Sequence, residues 1–256
     1  MNISEVLKIL ETICPLSLAP FEINGLLTRA EKNNIKKLGF TLGFSEISIK
    51  KARAKNIDML IVHNAPETLL QGDNYFKDIR KLSEKFSLSI YRMHLPLDFV
   101  QDGIIDQLCK IMYFKAEPVE LRYKEYTIVG GVYVAKERLL LSDVVERVKL
   151  LDPNTIRIVR RSERKIEKIA IASGDGCKPE FLLQLRPDVF ICGLLNQESI
   201  RIANDLGIIL IEATSYATEN EPLKKFVELK KKLFKNINVH FIDVKNDVTE
   251  YNEDKV

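Results

Sequence analysis

Residues 58–62 read Asp-Met-Leu-Ile-Val, and residues 188–192 read Asp-Val-Phe-Ile-Cys. Short continuous apolar runs suit strands covered on both faces, the normal condition of a parallel sheet. A strand with one wet face would alternate instead. The chain places these runs between helical patterns. Ile3, Val6, Leu7, Leu10 and Ile13 recur at helical spacing. Residues 38–43 read as a strand, 45–55 as a helix capped by Ser45, 74–86 as a helix, 88–93 as a strand and 99–112 as a helix. Strand–helix–strand order predicts an α/β fold with mainly parallel sheets and right-handed crossovers.

Residues 115–126, Lys-Ala-Glu-Pro-Val-Glu-Leu-Arg-Tyr-Lys-Glu-Tyr, are polar and read as irregular. This shift suggests a domain boundary, with 1–120 plus 241–256 as the first α/β domain and 121–240 as the second. Beyond it the alternation resumes. Strands are expected at 127–135 (Gly130-Gly131 a candidate bulge), 155–160, 165–173, 188–192, 208–213 and 238–244. Helices are expected at 141–151, 179–185, 197–206 and 222–234. Residues 246–256 read as a frayed polar tail.

Two stretches resemble each other. Residues 56–64, a helix, then 88–98 are echoed by 186–194, a helix, then 208–219. Asp58 matches Asp188, and His63 falls opposite Gly193. In the first loop His94 precedes Asp98 by four residues; in the second Ser215 precedes Glu219 by four. The pattern predicts two similar, duplicated α/β halves carrying H-x-x-x-D and S-x-x-x-E at equivalent places.

Ligands of open parallel sheets gather outside the carboxyl ends of the strands. His63 and His94 stand at such ends, and Glu219 follows another. Imidazole with carboxylates suits a divalent first-row metal, and a carboxylate can bridge two ions that together activate water. The candidate metal residues are therefore His63, Asp98 and Glu219, with His94 as a weaker candidate. Each has a plainer structural reading. The chain has 3 histidines; His63 could be a hydrogen-bonded core residue, and His240 reads as structural within the last strand. Asp98 could cap the helix at 99–112. Thr218 to Glu221 reads as a capping box with Thr218 as the cap.

The order Ile-Val-His-Asn, His-Leu-Pro-Leu-Asp, Ser-Tyr-Ala-Thr-Glu resembles the Nif-three-like family (NGG-interacting-factor-three, also labelled GTP cyclohydrolase I type 2-like). That family's signatures are His-His-Pro after a strand, then His-Thr-Asn-Leu-Asp, then Gly-His-Tyr-x-Ser-Glu. Residues 20–27 resemble its Trp-Asp-Asn-x-Gly-Leu segment, with Phe21 in place of Trp. Residues 169–176 are similar to its glycine-rich loop, and 188–198 to its Thr-Gly-Glu/Asp-x-x-x-His segment, with Gln197 and Glu198 near the last position. The resemblance implies five metal-binding positions, which here carry His63, Asn64, Asp98, Ser215 and Glu219. Asn64 and Ser215 stand where the family has histidines, and neither replaces imidazole well toward zinc or iron. The implied cofactor is thus a divalent metal (Mn, Fe, Mg or Zn), held as one ion or weakly, with the oxygen-rich set favouring Mn, Mg or Fe. The resemblance also implies a homohexamer of stacked trimers.

Composition narrows the partners. With 39 basic and 36 acidic residues the net charge is +3, which argues against dedicated nucleic-acid binding. No long apolar run predicts a membrane span, and Glu5 and Glu11 interrupt what would be a signal peptide. The 4 cysteines lack C-x-x-C spacing, as expected of free thiols in a reducing cytoplasm. High Lys, Ile and Glu with no Trp hints at a thermophile. Ser173 to Lys178 reads as a plain turn or an anion cradle, and the run at 222–234 as a solvated lysine face over an apolar stripe. Arg157, Arg160, Arg161 and Arg164 cluster around a strand and turn. Two functions remain. One is a metal-dependent hydrolase acting on a phosphorylated or nucleotide-like small molecule through metal-activated water. The other is a non-enzymatic metal-binding, scaffold or regulatory protein with a degenerate site.

Overall fold

The computed structural model describes residues 1–65, 74–160, 162 and 164–245. Arg161 and the polar tail expected at 246–256 lie outside the described residues. The chain divides into two compact units: Met1–Val100 with Leu223–Lys245, and, among the described residues, Gln101–Pro222.

In chain order the first stretch contributes α1 (Ile3–Ile13), β1 (Gly25–Thr28), β2 (Lys37–Gly43), α2 (Glu46–Ala54), β3 (Met59–Asn64), α3 (Asn74–Lys85), β4 (Ser89–Arg92) and the short α4 (Leu95–Phe99). Then follow α5 (Ile104–Ile111), β5 (Ala116–Tyr123), β6 (Tyr126–Leu139), α6 (Leu141–Lys149), β7 (Arg157–Val159), β8 (Ile166–Ile171) and α7 (Pro179–Leu185). The chain continues through β9 (Val189–Cys192), α8 (Gln197–Leu206), β10 (Ile209–Glu212), α9 (Ser215–Lys230) and β11 (Asn238–Phe241).

The first unit holds a sheet in the order β1-β4-β3-β2-β11. Strands β4, β3, β2 and β11 run parallel, and β1 joins antiparallel. Leu60, Val62 and Ile90 pack with Ile49 and Ala52 of α2 and Ile79 of α3. The second unit holds a sheet in the order β5-β6-β8-β9-β10-β7. Its centre, β8-β9-β10, is parallel, and β5, β6 and β7 are added antiparallel. Ile169, Ile171, Ile191, Ile209 and Ile211 pack there with Leu108, Val144 and Val148. The α/β architecture in two halves is as expected, and parallel pairing dominates where the apolar runs are unbroken. The second sheet as a whole is mixed.

Backbone hydrogen bonds make the two halves superimposable in register. Asp58 Oδ2 accepts the N–H groups of Lys36 and Lys37 at 2.7 and 2.9 Å. Asp188 Oδ2 accepts those of Glu167 and Lys168 at 2.9 and 2.9 Å. Ser89 N–H donates to Asp58 O (3.1 Å) as Ile209 N–H does to Asp188 O (2.9 Å), and Met93 N–H donates to Val62 O (2.9 Å) as Ala213 N–H does to Cys192 O (2.9 Å). His63 is thus equivalent to Gly193, as the sequence indicated. His94, however, is equivalent to Thr214, and Asp98 to Thr218. The expected pairing of His94 with Ser215 and of Asp98 with Glu219 is one residue out of step. No residue is inserted between the strand and the following helix, since α4 and α9 begin at the matching positions Leu95 and Ser215.

Three local expectations are corrected. Residues 115–126 are not irregular; Ala116–Tyr123 form β5, an edge strand antiparallel to β6, which begins at Tyr126. It is polar because its outer face is wet, and only Leu121 of that strand is fully buried. The helix expected over 99–112 begins at Ile104 with Gly103 as its cap. Asp102 at φ 62° turns the chain before it, so Asp98 does not cap this helix. Thr218 does not cap a helix either. It lies inside α9, where its hydroxyl faces the carbonyls of Thr214 (3.0 Å) and Ser215 (3.1 Å). Gly130 is a bulge, as expected: its φ is +87°, and the β5–β6 register slips between Pro118 and Glu120.

Candidate metal centre

His63 is the fifth residue of β3 and is buried among its neighbours. Its Nδ1 lies 3.0 Å from the Met93 carbonyl oxygen. A carbonyl can only accept, so Nδ1 carries a hydrogen, and whenever the ring is neutral its lone pair is on Nε2. Nε2 lies 3.6 Å from Asp98 Oδ2. Asp98 is held in α4, a short helix that begins at Leu95, with Pro96 in its first turn and His94 as the residue before it. The His94 ring approaches that of His63, with centroids 4.9 Å apart and planes at 59°. One donor atom from each of His63, His94 and Asp98 lies within 4.8 Å of the others. Two imidazoles and a carboxylate so arranged fit one divalent first-row ion.

A second layer surrounds His94. Glu22 Oε1 contacts His94 Nδ1 at 2.5 Å and Arg92 Nη2 at 3.0 Å. Glu22 Oε2 accepts from Asn24 Nδ2 (3.0 Å) and the Leu95 N–H (3.2 Å). Asn24 Oδ1 in turn accepts the His94 N–H at 2.9 Å, and Arg92 donates to the Ile23 carbonyl. Burial would raise the Glu22 carboxyl, but the bond and charge of His94, then Arg92 and Asn24, outweigh it and bring it down to about 2. Burial would lower the His94 imidazole, but Glu22, with Asp98, outweighs it and holds it above its usual value. An ionised carboxylate only accepts, so His94 carries its hydrogen on Nδ1, and Nε2 is the nitrogen left for a ligand.

The other expected residues lie within their own elements. Asn64 ends β3, and its carbonyl accepts the Phe44 N–H at 2.9 Å. Ser215 and Glu219 belong to the second unit, on the first turns of α9. Glu219 is buried, and its carboxylate lies against Gly174, where a Cβ would overlap Oε1. Gly174 has φ +47°, so glycine is required there twice over. The amides of both loop glycines already have partners. Gly174 N–H donates to Thr218 Oγ1 (3.2 Å), and Gly176 N–H to Ser173 O (2.9 Å). That favours the plain turn over the anion cradle. Cys177 is buried, and its carbonyl accepts the Ser199 hydroxyl at 2.6 Å. Arg157 pairs with Glu212 at 2.9 Å and Arg164 with Asp188 at 3.3 Å, so these arginines serve acids of their own unit. His240 lies on β11, as expected.

The sequence reading missed Glu22, Asn24 and Arg92. The available signal was a carboxylate, Glu22, set between Phe21 and Ile23 in a segment already singled out. Its partner Arg92 stands 70 residues away.

An α/β protein of two like halves, with a histidine–carboxylate cluster at the strand ends of one, defines a class of candidate metal proteins. The profile of the family described as Duf34/NIF3 (NGG1p interacting factor 3) matches residues 1–248, and the chain belongs to that family. It is 28% identical over 253 residues to the GTP cyclohydrolase 1 type 2 homolog of Methanocaldococcus jannaschii, covering 95% of this chain and 99% of that one. It is 26% identical over 250 residues to the protein of the same name from Pyrococcus horikoshii, covering 95% and 98%. Among solved structures, the Bacillus cereus protein related to NIF3 matches with a TM-score of 0.82 at 15% identity, covering 98% and 99%. Reduced HcgD from Methanocaldococcus jannaschii matches at 0.78 and 24% identity, covering 95% and 98%. These two likenesses establish the fold alone. Among the described residues, no helix is long and apolar enough to cross a membrane.

Proposed function

We propose that this protein binds one divalent ion of the Mn²⁺ or Fe²⁺ kind through His63, His94 and Asp98, and acts as a metal-dependent hydrolase on a phosphorylated or nucleotide-like small molecule. The observation that carries the reading is the convergence of these donors within 4.8 Å. When bound, such an ion supplies Lewis acidity and lowers the pKa of water. The chain supplies the rest. His63 offers Nε2 because Met93 occupies Nδ1, and Asp98 offers an anionic oxygen beside it. Glu219, a buried carboxylate, is proposed as a further metal contact, with Asn64 and Ser215 as weaker ones.

Elemental analysis of untagged protein, followed by titration with Mn²⁺, Fe²⁺ and Zn²⁺, tests this. One equivalent per chain, lost in Asp98→Asn, is the expected result. Two equivalents of tightly held zinc would overturn the one-ion reading, and no uptake after loading would overturn metal binding altogether. Hydrolysis that rises with Mn²⁺ and vanishes in Asp98→Asn supports the enzyme. A second reading, a non-enzymatic scaffold or regulatory protein, is favoured by Asn64 and Ser215 standing where the family motifs carry histidine. Full metal binding without turnover on a broad phosphoester and nucleotide panel would decide for it. We also propose a cytoplasmic homohexamer; a monomer in sedimentation would refute that assembly.

A further inference from the structure

We propose that Glu22 is a positioning residue for the metal cluster, fixing the ring and tautomer of His94 so that Nε2 is presented toward His63 and Asp98. The inference rests on the metal reading above and deepens it. His63 and His94 are oriented by different means. His63 is set by the main-chain carbonyl of Met93, the residue after β4, at 3.0 Å. His94 leaves β4 before it reaches the cluster, and its ring is steered by a side chain from residues 22–24.

The Glu22 carboxylate is itself fixed. Arg92 Nη2 (3.0 Å), Asn24 Nδ2 (3.0 Å) and the Leu95 N–H (3.2 Å) all point donors at it. Ringed in this way, it has one oxygen facing His94 Nδ1 at 2.5 Å. Arg92 Nη2 also lies 3.1 Å from that nitrogen, but a guanidinium cannot accept. The hydrogen on Nδ1 therefore belongs to the Glu22 bond. A carboxylate behind a ligating imidazole fixes the tautomer and raises ligand basicity, and losing such a partner costs about 10–100-fold in metal affinity. Asn24 completes the clamp by holding the His94 main-chain N–H at 2.9 Å. Ring and backbone of His94 are thus both set from one short segment.

Glu22 could instead serve Arg92 alone, as the counter-ion of a buried guanidinium. The two roles separate in a readout that does not need activity. Long-range ¹H–¹⁵N correlation on the metal-free protein, at a pH that keeps the ring neutral, reports the tautomer of His94. The wild type should show hydrogen on Nδ1 and a bare Nε2. Glu22→Gln, whose amide oxygen still accepts, should keep that tautomer while weakening Mn²⁺ binding about 10-fold. Glu22→Ala should give mixed tautomers and weaken Mn²⁺ binding toward about 100-fold. A wild-type ring with hydrogen on Nε2, or a folded Glu22→Ala with unchanged tautomer and affinity, would overturn the proposal. Should Glu22→Ala not fold, the wild-type tautomer and the Glu22→Gln affinity decide it. If the wild type takes up no Mn²⁺, Fe²⁺ or Zn²⁺, the metal reading falls by itself, and the tautomer series still reports whether Glu22 steers His94.

Discussion

The two halves run the same strand ladder to different ends. After β3 and β4 the first half places His63, His94 and Asp98; after β9 and β10 the second places Gly193, Thr214 and Thr218 at the matching positions. His63 Nε2 faces Asp98 Oδ2 at 3.6 Å. At the corresponding place a Cβ on Gly193 would fall 2.5 Å from Thr218 Oγ1 and 2.7 Å from Ser215 Cα. One half keeps room between strand and helix for an imidazole, and the other has drawn the helix onto the strand backbone. The difference teaches that the chemistry of this fold is not fixed by its ladder. Side-chain choice at a few ladder positions decides whether a strand end is a site or a packing contact.

The comparison can be broken in four ways. The largest effect is expected of Asp98→Asn, which should weaken Mn²⁺ or Fe²⁺ binding by more than about 100-fold, beyond the upper end for an outer-layer partner. Thr218→Val, its counterpart, should leave metal titrations unchanged and cost about 1–2 kcal/mol of stability, because Gly174 N–H loses its acceptor. Equal metal loss in both variants would erase the distinction between the halves. Next is Gly193→Ala. The new methyl must displace backbone at Ser215, so urea unfolding should register a loss of about 2–4 kcal/mol; a neutral result would mean that the closure is soft.

A third test uses the shared aspartates. Asp58→Asn and Asp188→Asn should each cost about 1–3 kcal/mol, since each carboxylate accepts two main-chain N–H groups. Burial alone would raise the Asp58 carboxyl, but Lys32 and the two amides outweigh it and hold it below the usual range. A carboxyl lowered by folding stabilises fully above its unfolded value, about pH 4, and loses that contribution as pH falls through the folded one. Stability of Asp58→Asn should therefore fall less steeply than wild type below about pH 4. An unchanged acid limb would remove Asp58 as a contributor. The smallest effect concerns thiols. Burial, with Asp98 near Cys14 and Asp106 near Cys109, pushes both thiols well above their usual value. One lies in each unit, and neither should react with Ellman's reagent until the protein unfolds.

Much of the fold was legible because its strands are continuous apolar runs. Met59 to Val62 and Val189 to Cys192 are buried on both faces, and composition alone marks such segments. Residues 116–123 were less legible, because an edge strand with one wet face carries Glu and Arg where a core strand would carry Val. The late start of α5 left a trace in Asp102-Gly103, a turn pair inside an otherwise apolar pattern. At the site, where the first unit brings donor atoms of His63, His94 and Asp98 within 4.8 Å of one another, the sequence singled out His63, Asp98 and Glu219, with His94 as a weaker candidate. It misjudged the register between the halves by one residue. Two carboxylates each four residues after a His or Ser look equivalent in sequence, whereas hydrogen bonding of Met93 and Ala213 to the preceding strands is what sets equivalence. Glu22 stayed silent because its partners at 92, 94 and 95 are brought to it only by the tertiary fold.

Asp58 and Asp188 carry one further consequence. Strands such as Met-Leu-Ile-Val and Val-Phe-Ile-Cys have no alternating pattern, so sliding one along its neighbour by a residue would still leave apolar groups in an apolar layer. Hydrophobicity therefore gives little reason to prefer one alignment. Each aspartate supplies that reason at the entry to its strand, because its carboxylate meets two successive amides of the adjoining strand in a single frame. A slip of one residue would leave each carboxylate, buried in Asp58 and half-buried in Asp188, out of reach of its amides. These side chains act as alignment pins, and the atoms they keep in step are those at the far ends of the strands, where one half holds its histidines.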